Sequence, residues 1–488
     1  MSIERPRPVV YTIALVGIAL YLLFVFRLAG TGLVSADEPR YASIGREMAR
    51  SGDWVTPRLW GDPWFEKSAL LYWMTGAAFR LGLNADLAPR LPVAACSVLF
   101  LAISFSVLRK EFGLRAAWFS VLVLGTSAGW LALSHVAIPD LPMSALFSLS
   151  MLLCLGWLRN GERRRLPWAA ALLASAVLAK GLVPLVLALP LAWFGRRRIL
   201  DLLRPPVLIA FLLVAAPWYV LCYLRNGWPF VQIFFIQHQF GRFFSGELQH
   251  VQPFWFYLPV LASALFPWTG AATLLANPGL YSDSRRRFLL TWLLFGLLFF
   301  SYSTNKLPGY ILPLLPAAAV LIGLALDEAA DARWILASAA ALLCILFPLA
   351  SVLPQALAAG LSRARFPAFQ PVWLAPLLLA PLVWRLEQAK QRNFAVILIA
   401  ALATTGVAYL KLVALPAIDA SASARSLWHR LETSGHAFCV EPIHRSWLYG
   451  LNYYSVTPLP DCAAEPGRWR VTQEPGSIPT LTAPRPPL

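Results

Sequence analysis

Long apolar runs alternate with short basic clusters along most of this chain. A run of about 20 apolar residues crosses a hydrocarbon core of about 30 Å, and runs of that kind recur here. They fall at 9–29, 91–108, 116–133, 141–158, 206–224, 253–275, 288–302, 310–326, 334–353, 372–384 and 394–413. The stretch 166–194 is broken by Lys180-Gly181 and Pro184 and has basic clusters at both ends. It predicts two short helices meeting near Lys180, since a broken span is tolerated where it lines protein or a wet cavity. The pattern as a whole predicts an all-α polytopic membrane protein with about 13 transmembrane helices. In lipid, such runs mean helices and not a barrel. Arg109, Lys110, Arg163–Arg165, Arg196–Arg198, Arg285–Arg287 and Arg392 follow the runs expected to return inward. Basic loops stay cytoplasmic, so the N-terminus is expected inside and the tail from 416 outside. Arg5 and Arg7 precede a first run too long for a signal-peptide core, which makes it a span.

The stretch 35–73 breaks the pattern. It is dense in charge between two apolar regions and, by the same topology, faces outward. Charge beside a bilayer is costly unless solvated, paired or functional. Asp37-Glu38-Pro39 opens a segment with Tyr41, Ile44 and Met48 at helical spacing, which predicts an interfacial helix. Asp37 at its start reads as an N-cap, a general base, or both. Glu66-Lys67 follows Pro63-Trp64-Phe65. It reads either as an interfacial ion pair or as a place where Lys67 meets an anion such as a lipid phosphate. His135, Asp140, His238, Arg242 and Lys306 lie at other outer turns. All these charges converge on one membrane face, with carboxylates for proton transfer and cations for an anionic leaving group.

Composition sharpens this in two places. The chain is 58% apolar with a formal net charge of +17, and topology accounts for the basic excess without a nucleic-acid role. Of the six cysteines, Cys96, Cys154, Cys222 and Cys344 fall in spans. Cys439 and Cys462 share the outer tail, where an oxidising compartment predicts a disulfide. There is no P-loop, dinucleotide fingerprint or zincin motif, and no inner loop long enough for a nucleotide-binding domain. Any activated donor must come through or from the membrane.

The first outer block, DEPRYASIGREMARSGDWVTPRLWGDPWFEKSALLYW, resembles the dolichyl-phosphate-mannose protein mannosyltransferase superfamily of GT-C enzymes. Within it the chain is most similar to the branch with the bacterial lipid A aminoarabinose transferases. APRLP, IPDLPM, AKG, QHQFGRF and KLPGYILPLLPA follow in the family's order. The resemblance implies a GT-C fold, with a transmembrane domain over 1–415, the active site in the outer loop 31–87, outer-face juxtamembrane helices, and a small periplasmic domain over 416–488. It also implies the bacterial inner membrane and an inverting transfer from a polyprenyl (undecaprenyl) phosphate sugar. The acceptor would be lipid A, another glycolipid, a polysaccharide or a secreted protein. Protein O-mannosyl transfer is one alternative; a lipid-linked sugar transporter is another.

Carried over by motif, Asp37 matches the catalytic base and Asp140 a second essential acid. Lys67 and Arg242, with Arg40 and Tyr310, match donor lipid-phosphate positions. Glu38, Tyr41 and Lys306 line the same site. No cofactor is required; Glu66 and His238 match positions associated with a metal in relatives, though two ligands make a thin site. Ser68-Ala69 replaces the relatives' usual Pro-Pro, and Gln237 replaces a usual acid.

Overall fold

The computed structural model describes residues 8–241, 251–465, 467–474 and 476–484. Six of its helices are long and apolar enough to cross a membrane: Leu91–Phe112, Asp140–Asn160, Pro205–Asn226, Pro308–Glu328, Arg333–Ala359 and Arg392–Ala422. The chain is a multi-pass membrane protein. The apolar stretch of Pro308–Glu328 is 89% buried inside the protein and that of Asp140–Asn160 is 83% buried, so these two form the middle of the bundle. Pro205–Asn226, at 22%, is peripheral and turns apolar side chains outward.

Among the described residues several of the remaining expected crossings are shorter or broken, and the helices long and apolar enough number six, or seven with one bent pair counted as a span. Local chemistry explains one break. The expected span 116–133 is split into α5 (Leu114–Gly125) and α6 (Ala128–Leu133). At the break, Thr126 Oγ1 and Ser127 Oγ donate back to the carbonyls of Leu122 and Val123, both at 2.6 Å. Such back-bonding bends helices. The expected span 253–275 is a pair, Phe254–Ala264 and Trp268–Ala276, bent by 119°. The Lys180 break appears where it was read: Leu166–Lys180 ends at Gly181, whose φ of +80° favours glycine, and Val183–Leu187 follows.

Five helices of the N-terminal third position the site. The first crossing begins with α1 (Pro8–Leu20). The juxtamembrane helix α2 spans Asp37–Ser51, with Asp37 and Glu38 in its first turn and Arg50 in its last, as the helix dipole favours. Gly52 ends it in the left-handed region at φ +75°, its N–H donating to the Met48 carbonyl. α3 (Leu70–Arg80) packs directly on α2. A side chain at Gly45 would meet the Thr75 Cβ at 2.7 Å, so the two helices touch only because position 45 is glycine. Between them β1 (Arg58–Leu59) pairs antiparallel with β2 (Asp62–Pro63). α4 (Leu91–Phe112) then returns across the membrane, and α7 (Asp140–Leu153) packs against it.

The last long helix continues through Pro416 to Ala422, past the expected boundary at 415. The apolar run ends at 413, but the helix carries on to meet the outer loop. Asp419 accepts from the Gly32 N–H at 2.7 Å, and Arg425 pairs with Asp419 and Asp86. Beyond it lies a small α/β unit: helices Ala424–Thr433 and Arg445–Tyr454 on a sheet of β3 (Phe438–Val440), β4 (Trp469–Thr472) and β5 (Thr480–Thr482). β3 runs parallel to β4, and β5 antiparallel. Leu427, Leu431, Val440, Trp447, Leu451 and Val471 fill its core, and the sulfurs of Cys439 and Cys462 are bonded.

Candidate active site

Asp37 is the first residue of α2, but it does not cap the helix. Ala36 takes the cap position without a side-chain bond. The Asp37 carboxylate, 53% exposed, is instead held by Arg40 at 2.5 Å, one turn along. Arg40 also reaches Glu66 at 3.0 Å, and Glu66 pairs with Lys67 at 3.3 Å. The result is an alternating row of charge, Asp37–Arg40–Glu66–Lys67, joining the start of α2 to the segment after β2. Its two carboxylates differ: Asp37 is open, whereas Glu66 is 5% exposed.

The Arg40 guanidinium lies among Tyr41, Trp64 and Tyr449, 5.2, 5.3 and 5.5 Å from their ring centres. Aromatic faces attract such a cation. Burial alone would lower the pKa of Arg40, but Glu66, Tyr41 and Asp37 outweigh it and push it above the ordinary arginine value. Arg40 therefore stays charged. Its Nε is buried and has no hydrogen-bond partner among the described residues. Tyr41 is buried against Tyr72, and burial, with Glu66 adding to it, raises its pKa, so it stays protonated.

Glu38 faces the other way. It is fully buried and takes a forked pair of bonds from Arg90 at 2.7 and 2.8 Å. It also accepts from the N–H groups of Val34 and Ala137 at 2.9 and 3.0 Å. Arg90 in turn donates to the carbonyls of Leu28, Thr31 and Gly32. Glu38 therefore ties α2 to the first crossing, to the start of α4 and to the turn before α7. It stands behind the site, as a positioning group.

Asp140 opens α7 and is paired with Lys180 at 2.6 Å. The Lys180 ammonium sits 4.8 Å from the Tyr310 ring centre. Asp140, Lys180 and Tyr310 thus form a second group, built where the Leu166–Lys180 helix breaks. A side chain at Gly309 would come within 3.2 Å of the Asp140 carboxylate, so glycine keeps that approach open. The departure at Ser68 has a structural role nearby: its hydroxyl, fully buried, donates to the Val177 carbonyl at 3.2 Å. Lys306 is 6% exposed, and its ammonium donates to the carbonyls of Ser303 and Gln252 at 2.5 and 3.0 Å. It holds the turn before Pro308 in place. Arg242 lies outside the described residues, and His238 is partly buried in the segment Gln232–Gly241.

Of the expected metal pair, Glu66 lies in the charge row and His238 in the segment Gln232–Gly241. The Glu66 oxygens face Arg40 and Lys67, two cations that already balance the carboxylate. Among the described residues, no three His, Cys, Asp or Glu side chains gather so as to hold a metal ion. Sequence reading missed Arg90, Lys180, Trp64 and Tyr449 as parts of the site. Arg90 and Lys180 were within recognised motifs, and a near-buried cation needs a carboxylate partner. Tyr449 comes from the tail and left no signal.

Residues 66–221 match the family model described as dolichyl-phosphate-mannose-protein mannosyltransferase. The chain is 34% identical over 335 residues to the undecaprenyl phosphate-alpha-4-amino-4-deoxy-L-arabinose arabinosyl transferase of Pseudomonas aeruginosa, covering 65% of this chain and 60% of that one. Its Pectobacterium atrosepticum counterpart is 31% identical over 318 residues, covering 62% and 56%. The chain spans 57–60% of the length of the first curated relatives it matches. The crystal structure of ArnT from Cupriavidus metallidurans bound to undecaprenyl phosphate superposes with a TM-score of 0.72 at 25% identity, covering 93% of this chain and 86% of that one. An archaeal oligosaccharyltransferase, AglB from Archaeoglobus fulgidus, shares the fold alone, at a TM-score of 0.52 and 12% identity over 92% of this chain and 64% of that one. By sequence and fold together, the chain is similar to the dolichyl-phosphate-mannose protein mannosyltransferases over residues 66–221 and to the aminoarabinose transferases over most of its length.

Proposed function

We propose that this protein is an inverting glycosyltransferase that moves a sugar from a polyprenyl phosphate to a lipid A-like acceptor. It would act at the outer face of the bacterial inner membrane, with its N-terminus cytoplasmic and its small C-terminal unit periplasmic. The observation that carries the reading is the charge row: an open carboxylate, Asp37, fixed by Arg40 and followed through Glu66 by Lys67. The relatives' names supply the donor class, and a solved relative was captured with undecaprenyl phosphate.

In this reading the acceptor hydroxyl, or an already ionised acceptor phosphate that Asp37 orients, attacks the anomeric carbon from the face opposite the donor phosphate. Asp37 takes the hydroxyl proton as the new C–O bond forms. The bond to the phosphate oxygen breaks, and the polyprenyl phosphate leaves with its negative charge. Lys67, the charged Arg40 guanidinium and, by motif, Arg242 oppose that charge. Charged donors aimed where charge develops stabilise the transition state more than the ground state. The Asp140–Lys180–Tyr310 group orients substrate beside the broken helix.

The test is transfer by the purified, reconstituted protein from an undecaprenyl phosphate-linked aminopentose to lipid A, followed by mass spectrometry. The reading expects a sugar-sized mass gain on lipid A, lost in Asp37→Asn. Transfer to a peptide instead, or relocation of the intact donor between leaflets without transfer, would overturn it.

A further inference from the structure

The far half of α2 carries a feature that transfer chemistry does not use. Two cavities, of about 250 and 410 Å³, flank it. The first lies between α2 and the C-terminal unit and is lined by Ser43, Arg46, Glu47, Arg50, Trp60 and Thr457 among others. The second lies toward the end of α3 and is lined by Arg46, Arg50, Phe79 and Arg80 among others. Arg46 and Arg50 line both, so the two cavities form one groove around these side chains.

The arginines of this groove differ from most others in the structure. Arg40, Arg90 and Arg425 are each paired with a carboxylate. Among the described residues, Arg46, Arg50 and Arg80 have no ion-pair partner. Arg46 is only 9% exposed, yet its partners are the Tyr453 carbonyl, at 2.6 Å, and the Tyr453 ring. Arg80, which lines the second cavity, donates its Nε to the Ala49 carbonyl at 2.9 Å, and its guanidinium lies 5.8 Å from the Trp54 ring centre. The acidic lining residue, Glu47, is turned to the Gly61 N–H at 3.0 Å. Two further donors line the first cavity with no hydrogen-bond partner among the described residues: Ser43 Oγ, on a residue 4% exposed, and Trp60 Nε1. Buried polar groups are normally satisfied, so unpartnered donors beside uncompensated guanidinium groups point to an acceptor-rich anion. Planar guanidinium forks match phosphate.

We infer that this groove is a second binding site, distinct from the charge row, that takes the phosphate of a lipid headgroup. Its position fits. Arg46 stands nine residues after Asp37, about 13 Å along the helix axis. The Tyr449 ring faces Arg40 on one side and stacks on Trp60 on the other, at 5.7 Å, so one aromatic residue borders both sites. A headgroup with its phosphate in the groove has its remaining sugars near the charge row. The identification of that headgroup with the acceptor rests on the proposed transfer; binding in the groove does not.

The experiment uses the full chain in phosphatidylcholine nanodiscs and native mass spectrometry. The probes are diphosphoryl lipid A, the same lipid A with its phosphates removed, and phosphatidylglycerol. The variant is Arg50→Gln with Arg80→Gln, both exposed positions, with Arg50→Lys and Arg80→Lys as the charge-keeping control. Diphosphoryl lipid A is expected to bind the native chain and to bind the glutamine variant roughly tenfold or more weakly, the loss typical of a charge-assisted contact. The lysine variant should recover part of it, and dephosphorylated lipid A should bind both forms weakly. Arginine-dependent binding of lipid A alone identifies the acceptor; equal dependence for phosphatidylglycerol identifies a bilayer lipid; either supports the site. Equal binding of diphosphoryl lipid A by the native chain and the glutamine variant overturns it. Asp37→Asn separates the two readings, because it should stop transfer and leave this binding unchanged.

Discussion

Asp37 and Glu38 are neighbours in sequence, and the structure predicts opposite consequences for removing them. Glu38→Ala deletes a fully buried carboxylate that takes two bonds from Arg90 and one each from Val34 and Ala137. The Arg90 guanidinium, itself 3% exposed, would keep its carbonyl contacts but lose its counter-charge. Removing one partner of a buried ion pair costs about 3–5 kcal/mol. Two stranded backbone N–H groups add to that unless water enters, so about 4 kcal/mol is a conservative figure. For a chain of this size that lowers Tm by roughly 5–10 °C. Asp37→Ala removes a half-exposed carboxylate with one arginine partner, a change of about 0–1 kcal/mol. A thermal-shift assay on detergent-solubilised protein, read with a thiol-reactive dye, measures both. Glu38→Ala should fall clearly and Asp37→Ala should stay within about a degree or two of the parent. Equal Tm for Glu38→Ala and the parent would refute the assignment of Glu38 as a positioning group, as would an Asp37→Ala loss of the same size.

Three further outcomes follow from the same geometry. Lys67→Ala should weaken capture of the polyprenyl phosphate, raising the donor KM roughly tenfold or more as a charge-assisted contact is lost; steady-state kinetics at varied donor checks this. Lys180→Met should destabilise the protein by about 3 kcal/mol, because it strands the Asp140 carboxylate. Adding Asp140→Asn should restore Tm without restoring transfer. Reducing the Cys439–Cys462 bond should loosen the C-terminal unit by about 2–4 kcal/mol, seen as faster proteolysis between Ala424 and Thr482 while the helical bundle stays intact.

Much of the site was legible because chemistry in a membrane protein stands out against apolar surroundings. The charged stretch 35–73 could be read as functional for that reason, and Lys180-Gly181 announced its break through glycine and proline. The compartment argument placed Cys439 and Cys462 together. What sequence could not supply was direction. Asp37 reads as a helix cap, but Arg40 one turn later draws its carboxylate away from the backbone. Glu38 is equally acidic and one position on, which turns it about 100° around the helix into the protein. Lys306 carries a family motif, yet its ammonium is taken by carbonyls that only the folded turn brings near. Tyr449 reaches Arg40 from about 400 residues away in the chain, a contact of topology that no local pattern carries. The apolar run 394–413 marks only the membrane part of the last long helix, which runs on through Pro416 to Ala422.

The most direct test of the account is sugar transfer to lipid A by the reconstituted protein and its Asp37→Asn variant, read by mass spectrometry at equal protein level and equal Tm. The account predicts a sugar-sized mass gain with the parent chain and a rate at least about 100-fold lower with the variant. Near-parental transfer by Asp37→Asn would contradict it.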